Sequence, residues 1–278
     1  MTERFTTSDG RSLAYDDRGA GPPVLCLPGL TRNMGDFEPV ADAFADRARI
    51  IRLDPRGRGL SDHDPDWRNY NLIREGRDAL ELLDHLGLDR AAIIGTSRGG
   101  LLALTLGVGH AERLTGVLFV DIGPQIEPSG LAAIMGYLGK RPPYRDYDDA
   151  VAKLPGAMAP AFVNVPDTTW RAFAERCWRE TPEGLDIRYD PALRKAVAEA
   201  SATGALPDLW PLFDRFHEMP TALVRGANSD ILTPETAAEM RRRQPDMIFS
   251  EVPDRGHVPF LDEPASVAAI SAFLERVA

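Results

Sequence analysis

Short apolar runs alternate along the chain with amphipathic segments of helical length. That pattern builds parallel β-α-β units with helices on both faces of one sheet. Residues 24–27, 50–53, 91–95 and 115–120 are near-continuous apolar runs, as strands covered on both faces are. Ahead of them, residues 4–7 and 12–16 flank Asp9-Gly10, a hairpin turn signal, and should form an antiparallel pair at the sheet edge. Between the strands, residues 36–44 put Phe37, Val40 and Phe44 on one helical face. Leu80, Leu83 and Leu86 line another helix that stops at Gly87. After Val120 the pattern changes, for residues 125–211 contain helical segments and many prolines but no convincing strand. Strands resume at 221–224 and 247–252. The expected architecture is an α/β fold with a mostly parallel eight-stranded sheet flanked by helices and a helical insertion after the sixth strand. The core is then 1–124 and 212–278, with the insertion at 125–211.

Composition narrows the function classes. At 278 residues, with 44% hydrophobic and 27% charged positions, the chain is globular, and two domains or one large α/β domain fit its length. A net charge of −10 repels phosphate backbones and anionic lipid, so neither nucleic acid nor membrane is expected as a partner. The insertion holds 10 basic and 12 acidic residues, so the acidity lies mainly on the remainder and does not point to cationic substrates. Cys26 and Cys177 are far apart and have no CxxC partner, which suits a reducing compartment. The polar start, residues 1–10, has no signal-peptide core, and the most apolar stretch, 91–108, is broken by Ser97, Arg98 and glycines. A cytoplasmic protein is expected, with no prediction of its oligomeric state.

Gly95-Thr96-Ser97-Arg98-Gly99, followed by Gly100, fits G-x-S-x-G between an apolar run and the helix-like segment 101–106. A nucleophile elbow needs that strand-turn-helix setting, because its serine is strained and flanking glycines relieve crowding. A serine hydroxyl also needs a base. Of the five histidines, His257 follows the last strand in Asp254-Arg255-Gly256-His257-Val258-Pro259-Phe260, at a strand's carboxyl end where open α/β sheets place ligands. His63, His85, His110 and His217 lie in helical or polar surroundings. The base requires a carboxylate to hold its tautomer. Asp230, after the strand 221–224, is the preferred acid. Asp121, ending the strand before the insertion, is its competitor, and Asp254 is third.

Together these residues resemble the α/β-hydrolase superfamily over nearly the whole chain. Asp54-Pro55-Arg56-Gly57-Arg58-Gly59-Leu60-Ser61 is similar to the family's D-x-R-G-x-G-x-S loop, read here as structural. Gly256-His257 followed by Leu261-Asp262-Glu263-Pro264 is similar to the histidine loop of capped members, whose helical cap follows the sixth strand. The resemblance implies a catalytic set Ser97, Asp230 and His257. It also implies an oxyanion hole made by the backbone N–H groups of Leu30 and Arg98, although Pro28 stands where the family has histidine in its His-Gly-x segment. The Arg98 side chain either recognises a substrate carboxylate or pairs with an acid on a helix or the cap. Arg32, Trp170 and Trp178 are candidate substrate or entrance contacts; the alternative for the aromatic positions is packing of cap onto core.

The implied activity is hydrolysis of a small carboxylic ester or lactone, with a small molecule as the only partner. No metal site and no cofactor are expected, and no H-E-x-x-H spacing is present. An elbow serine disfavours epoxide hydrolases and haloalkane dehalogenases, which use aspartate there. C–C hydrolases of diketone-type ring-fission products share the three residue types but commonly have tryptophan where this chain has Val258. Perhydrolase and hydroxynitrile lyase chemistry use the same triad. A non-catalytic ligand-binding homologue is the alternative from another class.

Overall fold

The computed structural model describes residues 2–202 and 208–278. The first half contains β1 (Thr2–Thr6), β2 (Ser12–Arg18), β3 (Pro23–Leu27), α1 (Glu38–Phe44), β4 (Arg49–Leu53), α2 (Leu72–His85), β5 (Ala91–Thr96), α3 (Arg98–Gly109) and β6 (Leu114–Val120). Next come α4 (Pro128–Tyr137), α5 (Tyr147–Met158), α6 (Asp167–Cys177), β7 (Trp178–Thr181), β8 (Gly184–Ile187), α7 (Leu193–Ala202) and α8 (Trp210–Phe213). The chain then returns through β9 (Thr221–Gly226), α9 (Pro234–Arg243), β10 (Ile248–Val252) and α10 (Pro264–Val277).

Eight strands form one sheet in the order β1-β2-β4-β3-β5-β6-β9-β10. Only β2 runs against the others: it pairs antiparallel with both β1 and β4, and every other pairing is parallel. Alternation within the apolar runs decides which helices each strand residue meets. Leu25, Leu27, Ile93, Val117 and Phe119 face the layer of α2, α3, α9 and the Phe213–Phe216 turn. Val24, Cys26, Ile94, Leu118 and Val120 face α1 and α10. Both faces are closed, so the strands read as unbroken apolar runs.

The segment after β6 departs from expectation in one respect. It is mainly helical, but β7 and β8 form an antiparallel hairpin from Trp178↔Ile187 to Thr181↔Gly184. Thr181 closes the turn by donating its hydroxyl to Gly184 O at 2.7 Å. Two four-residue strands are too short for a legible alternation, and Trp178 continues the apolar spacing of α6 although that helix ends at Cys177. An aromatic cluster of Phe162, Trp170, Phe173 and Phe260 joins this segment to the loop after β10.

The turn from β5 into α3 is the tightest point of the core. A Cβ on Gly95 would lie 2.6 Å from Gly99 O, one on Gly99 would run into the Leu27 carbonyl, and one on Gly100 into the Ile122 side chain. By contrast, nothing lies within 4 Å of a Cβ placed on Gly109, at the far end of the same helix. Gly99→Ala is therefore expected to cost about 3 kcal/mol or more through overpacking against backbone. Gly109→Ala should be neutral or stabilising by up to about 1 kcal/mol, the helix-propensity gain. Urea unfolding of the two variants checks the pair, and equal midpoints would contradict this packing.

Candidate active site

Ser97 alone makes the turn between β5 and α3, with φ 50° and ψ −113°. A backbone of this kind costs on the order of 1–3 kcal/mol and needs its surroundings to hold it. The Ser97 N–H donates to Val120 O at 3.0 Å, and Ser97 O accepts from Gly100 N at 2.9 Å, opening α3. The hydroxyl thus projects from the carboxyl edge of the sheet, beside the residue that follows β6.

His257 Nε2 lies 2.9 Å from Ser97 Oγ, and its Nδ1 lies 2.8 Å from Asp121 Oδ2. A carboxylate only accepts, so Nδ1–H donates to Asp121 and Nε2 is left to accept from the serine hydroxyl. Asp121 is fully buried, with φ 53°, and its N–H donates to Val224 O at 2.8 Å. Two further donors fix its carboxylate: Gly226 N–H to Oδ1 at 2.8 Å and the Ser229 hydroxyl to Oδ2 at 2.6 Å.

This geometry corrects the expected acid. Asp230 is exposed and outside the hydrogen-bonded set, and its carbonyl packs against Gly130 of α4. The loop after β9 turns through Ser229, whose hydroxyl also accepts from Leu232 N–H at 3.1 Å, so the loop supplies a hydroxyl and an amide to Asp121 instead of a carboxylate to His257. Because β6 and β9 are neighbours, the end of either strand can reach the histidine. Here it is Asp121 that meets His257, with Ser229 bound to it, and Ser229 escaped the sequence reading because a loop serine next to an aspartate carries no distinct pattern. Asp254 is not an alternative: its side chain accepts from Asn164 Nδ2 at 2.9 Å.

The histidine loop is held by Glu263, whose carboxylate accepts from Arg255 Nε, the N–H groups of Phe260 and Leu261, and the Ser266 hydroxyl at 2.9–3.0 Å. On the other side of the serine, a Cβ built on Gly29 would sit 3.7 Å from Ser97 Cβ, which brings the loop 28–33 against the nucleophile turn. Among the described residues, no acceptor engages the N–H of Leu30 or of Arg98. Burial pushes the thiols of Cys26 and Cys177 up to about 12, so neither is a thiolate at neutral pH.

The remaining candidates are structural partners in this geometry. Arg98 forms a bidentate pair with Glu75 of α2, the outcome in which it meets an acid on a helix. Arg32 pairs with Asp36, touches Cys177 and lies 4.5 Å over the Phe173 ring, linking the loop 28–33 to α6. Trp170 is 1% exposed inside the aromatic cluster, the packing alternative for this position. Trp178 heads β7, half-buried against Tyr144 and Phe173. In the Asp54–Ser61 loop, Asp54 accepts from the N–H groups of Met34 and Leu60 at 2.7 Å. Gly59, at φ 58°, leaves no room for a Cβ beside that carboxylate.

A family model for the alpha/beta hydrolase fold matches residues 22–264. The chain is 34% identical over 272 residues to 3-hydroxybutyrate-oligomer hydrolase of Cupriavidus necator, covering 94% of this chain and 92% of that one. It is 27% identical over 265 residues to 2-(acetamidomethylene)succinate hydrolase of Mesorhizobium japonicum, covering 95% and 92%. Among solved structures, an alpha/beta hydrolase from Novosphingobium aromaticivorans superposes with a TM-score of 0.92 at 36% identity, over 99% of this chain and 98% of that one. The sheet order, the strand-turn-helix at Ser97 and these likenesses agree, and the chain belongs to the α/β-hydrolase fold family.

Proposed function

We propose that the protein is a serine hydrolase that cleaves a small carboxylic ester or lactone through an acyl-enzyme on Ser97. The observation that carries this reading is the unbroken hydrogen-bond relay from Ser97 Oγ through His257 to Asp121. His257 takes the serine proton as Oγ attacks the carbonyl, and Asp121 stabilises the imidazolium that forms. The N–H groups of Leu30 and Arg98, unengaged among the described residues, receive the negative oxygen of the tetrahedral intermediate. His257 then protonates the leaving alcohol and activates water to release the acid. In this reading Asp121 takes the role first given to Asp230, and no cofactor takes part.

The insertion 125–211 is proposed as a cap that shapes the acyl pocket. An oligomer of a hydroxy acid is joined by ester bonds, and the relative from Cupriavidus necator is named for such an oligomer. Short oligoesters of 3-hydroxy acids are accordingly the first substrates to try, beside p-nitrophenyl esters, lactones and vinylogous diketones. Turnover of diketones but not esters would move the assignment to C–C bond hydrolysis.

A fluorophosphonate should label the intact protein on Ser97 at neutral pH, and mass spectrometry that finds no adduct there would sink the serine-hydrolase reading in favour of a ligand-binding homologue. Ser97→Ala should abolish ester turnover without changing the melting temperature by more than a few degrees. Replacing the acids separates the two candidates. Asp121→Asn should lower kcat by about 10⁴-fold through loss of the correct tautomer, whereas Asp230→Asn should remain within about twofold of wild type. The opposite ranking in steady-state kinetics would restore Asp230.

A further inference from the structure

Two arginines converge on one carboxylate beside the nucleophile turn. Glu75, in the first turn of α2, is 2% exposed. Its Oε2 accepts from Arg98 Nε at 2.8 Å, and its Oε1 accepts from Arg98 Nη2 at 3.0 Å and from Arg58 Nη1 at 2.9 Å. Arg58, 1% exposed, donates through Nε to Leu30 O at 2.9 Å. One buried carboxylate therefore connects, through a guanidinium on each side, Leu30 and Arg98, whose N–H groups no acceptor engages among the described residues.

We propose that Glu75 is a positioning residue that fixes the relative placement of the Leu30 and Arg98 N–H donors by holding Arg58 and Arg98 together. The proposal rests on the serine-hydrolase reading above. Leu30 lies outside any helix or strand and has no backbone–backbone hydrogen bond among the described residues, so the Arg58 contact to its carbonyl is the polar tie that locates it. Arg98 opens α3 directly after the strained serine, and its side chain is tied to α2 through Glu75 and to the segment ahead of that helix through Tyr70 O at 3.2 Å. Oxyanion donors act by preorganisation, and a misplacement of about 1 Å costs up to about 10²-fold in rate.

The charges support the same role. Burial alone would raise the Glu75 carboxyl, but Arg58 and Arg98 outweigh it and hold the group below the usual carboxylate range. Burial, together with the charge of Arg98, holds Arg58 below the usual arginine range despite Glu75. Arginine keeps its proton in proteins, so two guanidiniums on one carboxylate leave one positive charge in excess. Removing the Glu75 charge adds net positive charge next to the developing oxyanion. If Glu75 acted only through its field, neutralising it would speed the reaction; if it acts by placement, the reaction slows. The sign of the effect separates the two.

Glu75→Gln is the test, measured on the full chain with a p-nitrophenyl ester. We expect kcat to fall by ~10- to 100-fold with KM within about twofold. Affinity for a trifluoromethyl ketone analogue of the tetrahedral intermediate should fall in the same proportion. An unchanged or raised kcat, or a lowered melting temperature with wild-type kcat per folded, titrated site, overturns the proposal. Where Glu75→Gln does not fold, Arg58→Lys decides, because it keeps the charge facing Glu75 but loses the Nε donor to Leu30 O; the same fall in kcat and analogue affinity is expected, and wild-type values overturn the proposal. Failure of the underlying reading is distinguishable: unmodified protein would then give no fluorophosphonate adduct on Ser97, whatever the Glu75 variants do.

Discussion

The φ of 50° at Ser97 is maintained by contacts on three sides of a turn that has no space to relax. Leu27 O stands against Gly99, Ile122 against Gly100, and the start of α3 against Gly95. Each of those neighbours lies at the carboxyl end of a central strand or just beyond it, so the strain at Ser97 is held by the middle of the sheet. The same packing brings the end of β3 and the end of β6 beside the serine. From the first comes the loop carrying Leu30, and from the second Asp121. The site is therefore the junction of three adjacent parallel strands, β3, β5 and β6, with His257 reaching in from the end of β10.

That geometry explains what the sequence made legible. Parallel strands covered on both faces announce themselves as apolar runs, and the G-x-S-x-G motif marks Ser97 at the end of one, whereas His257 follows β10, a half-exposed edge strand whose run holds Ser250 and Glu251. The acid was not legible to the same degree. Asp121 and Asp230 both follow strands, and those strands are neighbours, so no spacing argument separates them. What separates them is a hydroxyl, Ser229, and an amide, Gly226 N–H, that converge on Asp121. Convergence of small donors on a buried carboxylate is a property of the folded loop and leaves no periodic trace. The β7–β8 hairpin was hidden for a different reason: its strands have four residues each, and its first aromatic extends the stripe of the preceding helix.

Net acidity was legible, but its counterpart inside the molecule was not. Arg56 is completely buried and pairs with Asp9, Asp64 and Asp78. Arg52 meets Asp16 and Glu38, and Arg225 meets Glu251. Buried charge of this kind contributes little net stability, since desolvation offsets much of the attraction, yet breaking one partner is costly. It gives geometric definition to loops that lack regular hydrogen bonding. The Asp54–Ser61 loop is the clearest case, because Arg56 and Arg58 both point inward from it, one toward α2 and the turn at Asp9, the other toward Glu75 and Leu30.

The insertion is part of this arrangement and not an independent cover. Asn33, in the loop after β3, donates to Arg176 O at 2.7 Å, and Gly59 N–H donates to Arg188 O at 2.7 Å. Asn228, after β9, donates to Ala161 O at 3.1 Å, and Val163 N–H donates to Asp254 O at 3.1 Å ahead of the histidine. Phe260, three residues beyond His257, is buried among the insertion's aromatics. Four core loops, after β3, β4, β9 and β10, are thus each hydrogen-bonded to the insertion. A change in its sequence therefore also acts on the loops bearing Leu30 and His257, because those loops and the insertion share hydrogen bonds.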